Sequence, residues 1–589
     1  MQPRTELDWV SRFADEVIAE AEARAPGKPV VVASGISPSG PIHLGNLREI
    51  MVPHLVADEI RRRGIACDHI LSWDDYDRFR RVPAGVDPSW AEYVGRPVSE
   101  VPPPPGSEHT SWAEHFKAPL AAALARLGVE YRGISQTQMY TSGAYTEQVL
   151  LAMRERAHID AVLARYRTRA QSEPARAEPA RAEPGSAKPA APAGKQLDAA
   201  EALAADLATE GSGAAQEDDG STSAGYFPYR PYCSVCGRDF TTVTGYDDET
   251  TALSYTCACG HAGTVLLRED HHGKLVWKVD WPMRWAYEGV IFEPSGVDHQ
   301  SPGSSYMVGG QLVSEIFGGW QPIGPMYAFV GISGMAKMSS SRGGVPTPGD
   351  ALEIMEEPVL RWLYTRRRPQ QSFTIAFDAE LHRLYDEWDA VARKVAAGTA
   401  SELDASSYDR AVRTAAAELP RTPRPLPYRT LASVADITTG DEAQTLRILR
   451  DLDPEHPITS LAEVRPRLDR AQRWVATQLP ADQRTRLRAE PDTAALDALT
   501  DSERGALKLL LDGLDSHWSL EALSQLVYAV PKLQAGLAAD AKPTPELKVA
   551  QRAFFVLVYR LMIGSDTGPR LPTLLLAAGP ARVRALLGS

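Results

Sequence analysis

The sequence predicts a mixed α/β protein with a doubly wound domain, an inserted cysteine-bearing ribbon and an all-α carboxyl-terminal region. Three observations support this prediction. The first eighty residues follow a strand, loop, helix and strand pattern, two cysteine pairs lie near residue 250, and apolar residues recur at helical spacing beyond residue 378. A chain of 589 residues exceeds what one hydrophobic core usually organises, so we expect three or more domains.

The first strand and helix are predicted from apolar spacing. Residues 30–34 read VVVAS, a run typical of a buried parallel strand, and residues 66–73 predict a second strand. The residues between them show helical spacing until Gly64 ends the helix. This βαβ pattern is typical of a Rossmann-type fold, whose ligands bind beyond the carboxyl ends of the strands. The loop SGISPSGPIHLGN, residues 34–46, occupies that position and is the candidate ligand site.

Two close cysteine pairs indicate a metal site. Cys233 and Cys236 form one pair and Cys257 and Cys259 the other, each followed by a glycine typical of a turn. Four thiolates in this pattern suit tetrahedral zinc held by two facing knuckles. His261 could replace Cys259 as a ligand, although a solvent-facing histidine is favoured. The alternative is four unpaired, buried cysteines.

Net charge, cysteine count and the length of apolar runs exclude several classes of protein. The formal net charge of -13 excludes a uniformly basic nucleic-acid coat but leaves a local basic patch open. Five cysteines cannot form a secreted disulfide scaffold, and the first residues lack the apolar core of a signal peptide. No stretch approaches the roughly 18 consecutive apolar residues of a membrane helix. We therefore expect a cytoplasmic protein that does not span a membrane.

Two segments between the first strands and the ribbon have distinctive compositions. Residues 171–224 carry a Glu-Pro-Ala-Arg-Ala repeat and few large apolar side chains, which predicts a disordered insertion. Further upstream, His109 and His115 lie close to two glutamates in GSEHTSWAEHF. A second metal site is conceivable there, but a polar helix amino terminus explains the same residues without a metal.

A second loop carries cations between glycines. The segment GMAKMSSSRGG, residues 334–344, follows an apolar strand-like run and contains Lys337 and Arg342. Mobile cations of this kind suit the chemistry around a polyphosphate leaving group. A solvated basic loop is the alternative.

Together the two loops resemble the signature motifs of class I aminoacyl-tRNA synthetases. PSGPIHLGN resembles the HIGH signature, with residues 43–46 in its four places, and KMSSS, residues 337–341, resembles the KMSKS loop. Asn46 replaces the second histidine, which keeps a hydrogen-bonding amide but no possible charge. Ser340 replaces the second lysine, so the resemblance leaves Lys337 as the main cation, with Arg342 as its partner.

The resemblance implies roles for the residues that match the motifs. The GVDH sequence at 296–299 is similar to the loop that meets the ATP ribose, and its alternative reading is a capping aspartate in a turn. The implied catalytic residues are His43, Asn46, Lys337, Ser339, Ser340 and Arg342. The implied ATP-binding residues are Pro38, Ser39, Gly40, His43, Gly45, Asn46, Asp298, His299, Lys337 and Met338.

Other segments resemble the lysine-specific members of class I. These are residues 72–83, SWDDYDRFRRVP, and residues 273–306, which contain the cluster WPMRW. A lysine ammonium suits carboxylates and aromatic faces, whereas glutamate-charging relatives carry an arginine on the first strand, where residues 32–34 here have no cation. The resemblance places Gly35 and Ser37 beside the amino acid. The predicted substrate-binding residues are Gly35, Ser37, Asp74, Asp280, Trp281 and Trp285, with Asp75 and Asp77 nearby.

The resemblance implies an enzyme that activates L-lysine with ATP and Mg²⁺ and transfers it to tRNA(Lys). The expected partners are L-lysine and tRNA(Lys), and the expected oligomeric state is a monomer. Alternatives are a class I synthetase for glutamate, glutamine or arginine, a paralogue that activates an amino acid without charging tRNA, and a non-catalytic RNA-binding relic. Arg473, Trp474 and Tyr528 are of the type that reads single-stranded RNA. The expected domains are 1–100 and 276–345 for the two catalytic halves, 101–275 for the acceptor-end insertion with disordered 171–224 and ribbon 226–268, 346–390 for a stem, and 391–589 for the anticodon-binding region.

Overall fold

The computed structural model describes residues 8–83, 86–172, 220–301, 303–333 and 345–588. The helices, numbered in chain order, are α1 (Trp9–Arg24), α2 (Leu47–Arg62), α3 (Trp112–Arg126), α4 (Gln136–Thr141), α5 (Thr146–Arg154), α6 (Arg156–Ser172), α7 (Trp277–Glu288), α8 (Ser305–Glu315), α9 (Pro348–Ile354), α10 (Glu357–Thr365), α11 (Glu380–Ala396), α12 (Glu402–Val412), α13 (Tyr428–Thr438), α14 (Glu442–Leu452), α15 (Arg467–Thr477), α16 (Thr493–Asp497), α17 (Asp501–Gly513), α18 (Leu520–Gln534), α19 (Pro545–Ile563), α20 (Leu571–Ala578) and α21 (Pro580–Leu587). The strands are β1 (Val30–Ile36), β2 (Cys67–Trp73), β3 (Arg132–Ser135), β4 (Ser221–Thr222), β5 (Gly225–Tyr226), β6 (Tyr229–Pro231), β7 (Thr241–Tyr246), β8 (Ala252–Cys257), β9 (Ala262–Leu266), β10 (Gly273–Leu275), β11 (Ser295–Gly296), β12 (Met326–Tyr327), β13 (Val330–Ser333) and β14 (Phe373–Ala376).

Strand β1 lies in the interior of a parallel sheet. On one side it pairs with β2, which pairs in turn with β3. On the other side Val32 forms a parallel bridge to Phe292, which forms another to Ile323. The chain therefore winds outward from β1 in both directions, which confirms the predicted doubly wound fold. The crevice at the carboxyl end of β1 is the topological switch point, where such sheets bind ligands.

Helix α2 forms as the sequence predicts. Leu47, Ile50, Met51 and Leu55 are buried, and the helix packs on β1 and β2. It ends just before Gly64, which adopts a left-handed backbone with φ of 78°. Glycine tolerates this conformation without the steric cost that a Cβ would add. The apolar stripe of α2 thus fixes the direction in which the helix amino terminus faces the sheet edge.

The cysteine pairs lie in an antiparallel ribbon, formed by β7, β8 and β9. A short pair, β6 with β10, joins the ribbon to the helix α7 that follows it. The predicted disordered insertion, 171–224, lies outside the described residues except at its ends. There α6 continues to Ser172, and β4 pairs with β5.

The described residues after β14 form helices, short helical turns and loops but no β-strand, as the apolar spacing predicts. Trp474 is buried and donates its indole N–H to the carbonyl oxygen of Phe377 at 2.8 Å. Its ring therefore belongs to the core and is not available for stacking on a base in this conformation. Tyr528 is about half exposed, at 48%. No helix in the described part of the chain is long and apolar enough to cross a membrane.

A buried ion-pair network joins helix α15 to the segment before α10 and to α11. Arg467, at the start of α15, donates from Nε to Glu356 Oε2 at 2.7 Å and pairs with Asp389 on α11 at 2.9 Å. The side chain of Arg467 is 2% exposed and that of Glu356 is 5% exposed. Removing one partner of such a network leaves a charge buried without compensation.

We expect Arg467→Met to lower the free energy of unfolding by about 3 kcal/mol or more, because Glu356 and Asp389 would lose their shared cation. Denaturant unfolding followed by circular dichroism measures the change. Arg383→Met is the matched control: Arg383 is 73% exposed and pairs with Glu387 on the surface, so its loss should change stability by less than about 1 kcal/mol. Equal effects of the two substitutions would contradict the prediction.

Candidate active site

The loop of residues 37–46 leaves the carboxyl end of β1 and enters α2. A 3-10 turn, Leu44–Asn46, precedes the helix, and His43 stands before that turn in an extended conformation. The side chain of Asn46 does not cap the helix. The unsatisfied N–H groups and the dipole of a helix amino terminus favour a bound phosphate. The loop therefore presents His43 and an anion-binding backbone at the sheet edge.

Gly45 gives His43 the space that its ring occupies. A Cβ at residue 45 would lie 2.9 Å from Nδ1 and 3.0 Å from Cε1 of His43, closer than side chains pack. At Gly40, by contrast, a Cβ would meet no protein atom within 4 Å. Packing within the protein therefore requires glycine at residue 45 but not at residue 40.

Two hydrogen bonds from elsewhere in the fold hold the loop. The buried Trp112 donates its indole N–H to the carbonyl oxygen of Ser39 at 3.0 Å. The backbone N–H of Leu44 donates to the carbonyl oxygen of Pro346 at 2.6 Å. The loop is thus fixed both by α3 and by the segment that precedes α9.

His43 is neutral at physiological pH. Burial lowers the pKa of His43 to about 4, because the imidazolium would lose its hydration. Nδ1 is buried and has no hydrogen-bond partner among the described residues. The ring of the ligand-free protein is therefore placed to exchange a hydrogen bond with a ligand.

A buried ionic cluster lies beside the carboxyl ends of β1 and β2. Arg284, on α7, donates to Asp74 Oδ1 at 2.6 Å and also pairs with Asp280. Lys274 pairs with Asp77, and its Nζ lies 3.7 Å from Asp280. Burial raises the pKa of Asp74, and the attraction of Arg284 offsets this only in part.

Asp280 is the most deeply enclosed member of this cluster. It is 0% exposed, and it also accepts a hydrogen bond from the hydroxyl of Tyr140 at 2.5 Å. Its oxygens are thus occupied by groups of the protein itself. Asp74 lies nearer the predicted substrate loop, since its Oδ2 would be 4.0 Å from a Cβ at Gly35.

Two tryptophans enclose a further carboxylate. Trp281 and Trp285 donate their indole N–H groups to Glu293 at 3.1 and 2.6 Å. Glu293 is 8% exposed and forms no salt bridge within the described residues. Burial raises the pKa of Glu293 to about 7, although the two indole donors and Arg284 favour the charged form. This carboxylate could accept a cation from outside the protein.

Two further predicted residues, Asp75 and His299, lie outside this ionic cluster. Asp75 bonds to Lys117 Nζ at 2.6 Å, to the hydroxyl of Ser135 and to the backbone N–H of Thr137, so the protein already satisfies it. The 3-10 turn Val297–His299 follows β11. It brings the ring of His299 to 5.5 Å from that of Trp281, measured between centroids.

The structure brings together the predicted residues of three segments at this sheet edge, namely Gly35 to Asn46, Asp74, and Asp280 to His299. Ser37 and Ser39 are exposed there, and Pro38 is buried. The second loop lies outside the described residues. It contains the predicted Lys337, Met338, Ser339, Ser340 and Arg342.

The four cysteines of the ribbon converge on one point. Their Sγ atoms all lie within 4.8 Å of one another, with Cys233 and Cys259 at 3.8 Å and Cys236 and Cys257 at 3.7 Å. Tetrahedral zinc with Zn–S bonds of about 2.3 Å requires S–S separations of about 3.8 Å. The donor set therefore fits zinc. His261 is not part of the group and lies 3.3 Å from the hydroxyl of Ser234.

The second histidine pair does not form a comparable group. The rings of His109 and His115 lie 5.9 Å apart, and Nδ1 of His115 bonds to the hydroxyl of Ser107 at 2.9 Å. Ser111 caps α3 through the backbone N–H of Glu114. Among the described residues, the cysteines form the one group of three or more converging metal ligands. The geometry matches the alternative of a polar helix amino terminus.

Sequence reasoning gave no role to Glu293 or Lys274, which it quoted only within residues 273–306, and it named Arg284 only as a member of the cluster WPMRW. Glu293 had a usable signal, because it follows the apolar run VIF directly and the end of such a run is where a parallel strand meets the ligand edge. Arg284 had a local signal for only one of its partners, since Asp280 precedes it by four residues on α7, whereas Asp74 is distant in the sequence.

The switch-point crevice, with a histidine-bearing phosphate loop and a buried ionic pocket beside it, defines a nucleotide-dependent enzyme of the doubly wound α/β class. A family model described as tRNA synthetases class I (K) matches residues 7–418. The chain belongs to this family and is thus an aminoacyl-tRNA synthetase, which confirms the assignment made from the two signature motifs.

Full-length relatives share one name. A lysine–tRNA ligase of Streptomyces coelicolor is 65% identical, with 99% of this chain and 98% of that protein covered. A lysine–tRNA ligase of Pyrococcus horikoshii is 31% identical over 97% of both chains. One of Treponema pallidum is 29% identical over 99% of this chain and 98% of the relative.

Proposed function

We propose that this synthetase joins L-lysine to tRNA(Lys) in two steps. The lysine carboxylate attacks the α-phosphorus of ATP to form lysyl-adenylate and release pyrophosphate. A terminal hydroxyl of the tRNA then attacks the lysyl carbonyl and releases AMP. The observation that carries the proposal is the 65% identity, over nearly the whole length of both chains, to a lysine–tRNA ligase. Glutamate, glutamine and arginine as substrates, and the RNA-binding relic, have no comparable support.

The phosphate loop suits the first step. Residues 38–46 would bind ATP through the amino terminus of α2, with His43 as a neutral hydrogen-bonding group. Because His43 carries no charge at pH 7, we assign the cationic role to Lys337 and Arg342, with Ser339 and Ser340 beside them. Mg²⁺, when bound, neutralises phosphate charge. Asp298 and His299 would meet the ribose. The protein then acts mainly by positioning and electrostatic stabilisation.

The ionic pocket suits a lysine side chain. Among the residues that the structure describes here, four carboxylates, Asp74, Asp77, Asp280 and Glu293, face two buried cations, Arg284 and Lys274. A buried excess of negative charge is costly unless a cation enters. The ammonium of lysine would supply that cation.

We assign separate roles within the pocket. Glu293 and Asp74 would bind the ammonium, since Glu293 has no salt-bridge partner in the described part of the chain and Asp74 lies beside Gly35. Trp281 and Trp285 would orient Glu293 and provide aromatic faces. Asp280 would act indirectly by holding Arg284. Gly35 and Ser37 would contact the rest of the amino acid.

The remaining regions would serve the tRNA. Zinc held by Cys233, Cys236, Cys257 and Cys259 would stabilise the ribbon of the acceptor-end insertion, and the helices after residue 391 would read the anticodon. Tyr528 is exposed enough to stack on a base. Translation in the cytoplasm by a monomer is the setting we propose.

ATP–pyrophosphate exchange with each of the twenty amino acids, with and without total tRNA, tests the proposed substrate. We expect lysine alone to support exchange. Lys337→Ala should lower the rate by about 10² or more, because a cation would be lost from the developing phosphate charge. Lys508→Ala, an exposed lysine on α17, is the control and should keep the wild-type rate. Exchange with glutamate or arginine would overturn the specificity, and no exchange with any amino acid would favour the relic.

The Michaelis constant for lysine should depend on the ionisation of Glu293. Since burial raises the pKa of this carboxyl to about 7, it is mostly protonated at pH 6 and ionised at pH 8. The groups that face it are Arg284, Asp74, Tyr306 and the two indoles. We expect the KM for lysine to fall by about tenfold from pH 6 to pH 8.

Glu293→Gln should raise this KM and flatten its pH profile, as steady-state exchange kinetics would measure. Glu288→Gln is the matched control, because Glu288 lies near Glu293 in the sequence, at the end of α7, and pairs with Arg132 instead of facing the pocket. The same profile in the Glu293 variant and in the wild type would show that another group binds the ammonium.

Metal analysis of the purified enzyme should find about one zinc per chain, because four thiolates at tetrahedral spacing bind this ion tightly. Cys233→Ala should lose the zinc, and activity should fall only through instability of the ribbon. Cys67→Ser is the control, since Cys67 lies on β2, away from the ribbon. Protein purified without chelator and free of metal would refute the zinc site.

A further inference from the structure

Arg48 makes an unusual set of contacts on the first turn of α2. It is 2% exposed. Its Nη1 donates to the carbonyl oxygen of Ala328, and its Nη2 donates to those of Arg368 and Gln371, all at 2.8 Å. Its guanidinium carbon lies 5.2 Å from the ring centre of Phe373. One side chain therefore binds three backbone carbonyls of two segments about 300 residues away in the chain.

These carbonyls belong to the segments that enter a strand pair. Ala328 lies just before β13, and the turn at residues 368–371 lies just before β14, which pairs with β13 in parallel. Arg48 forms no ion pair with a carboxylate of the described residues, so its charge is directed to the carbonyl dipoles. Burial lowers the pKa of Arg48 only to about 10, which leaves it charged at neutral pH.

The same turn of α2 forms one wall of the proposed ATP site. Two residues before Arg48 is Asn46, the last residue of the signature motif. The backbone of Gly45 approaches β13 so closely that a Cβ there would lie 3.8 Å from the carbonyl oxygen of Val330. Strand β13 ends at Ser333, four residues before Lys337 in the sequence. Arg48 thus connects the helix that follows the signature turn to the segments that precede β13 and β14.

We propose that Arg48 is a positioning residue for the ATP-dependent step, which sets the distance between the signature turn of α2 and strand β13 by holding the carbonyls of Ala328, Arg368 and Gln371. The inference rests on the proposed activation of lysine by ATP. Arg48 touches neither substrate. A lysine at this position keeps the charge but cannot reproduce the planar fork of donors that reaches both segments at once.

Arg48→Lys and Arg48→Met test the inference, with Arg361→Lys as the matched control. Arg361 is also fully buried, and it also donates to backbone carbonyls, those of Leu127 and Arg410. Its hydrogen-bond partners in the described part of the chain also include His54 on α2, but none of them lies on β13 or β14. For each variant, ATP–pyrophosphate exchange gives kcat and the KM for ATP and for lysine. Thermal unfolding, followed separately, fixes a temperature at which every variant is folded.

We expect Arg48→Lys to lower kcat/KM for ATP by about tenfold and Arg48→Met by about 10², because displacement of a reacting group by about 1 Å has effects of this size. The KM for lysine should change by less than about twofold in both variants, since the lysine pocket lies on other elements. Arg361→Lys should lower the unfolding temperature without changing kcat/KM for ATP.

Three results would overturn the inference: unchanged ATP kinetics in folded Arg48→Lys, equal losses for ATP and lysine, or the same ATP defect in Arg361→Lys. If Arg48→Met does not fold, the ATP kinetics of Arg48→Lys alone test the inference. Wild-type exchange with lysine is measured in the same series, so failure of the proposed function would be seen separately from failure of the role of Arg48.

Discussion

The interior position of β1 is the constraint on which the rest of the structure depends. Its backbone is hydrogen-bonded to β2 on one side and to the segment around Phe292 on the other, since Ala33 N–H donates to the carbonyl oxygen of Phe292 at 2.8 Å. The connections that follow β1 and its neighbours therefore run in opposite directions at the carboxyl end of β1 and leave a crevice there. The signature loop, Asp74 and Glu293 all reach that crevice because they follow strands of the same sheet.

The crevice combines two electrostatic environments. At the amino terminus of α2 the backbone favours anions, and His43 stays neutral because burial lowers its pKa to about 4. On the other side, carboxylates outnumber the buried cations Arg284 and Lys274. The first environment suits a triphosphate and the second an ammonium. These are the groups that ATP and lysine, respectively, carry in the proposed activation step.

Local patterns in the sequence were sufficient for the scaffold. The strand at 30–34 and the helix that ends before Gly64 are predicted by the spacing of nearby apolar residues, which indicates the buried face. The zinc site is predicted by the spacing of nearby cysteines, which indicates metal ligands. The signature motifs identified the family for the same reason. Their residues act through the local backbone, as Gly45 does when it leaves space for the ring of His43.

The sequence by itself determined the α/β class, the cysteine ribbon, the helical carboxyl-terminal region and the synthetase family. Only the tertiary structure decided which charges are already paired. Asp280 and Asp74 both pair with Arg284, and Asp75 pairs with Lys117. Glu293 accepts hydrogen bonds from the indoles of Trp281 and Trp285. The physical reason is that the energy of a buried charge depends on its distance to every other charge and on its access to water, and these are set by residues far apart in the chain.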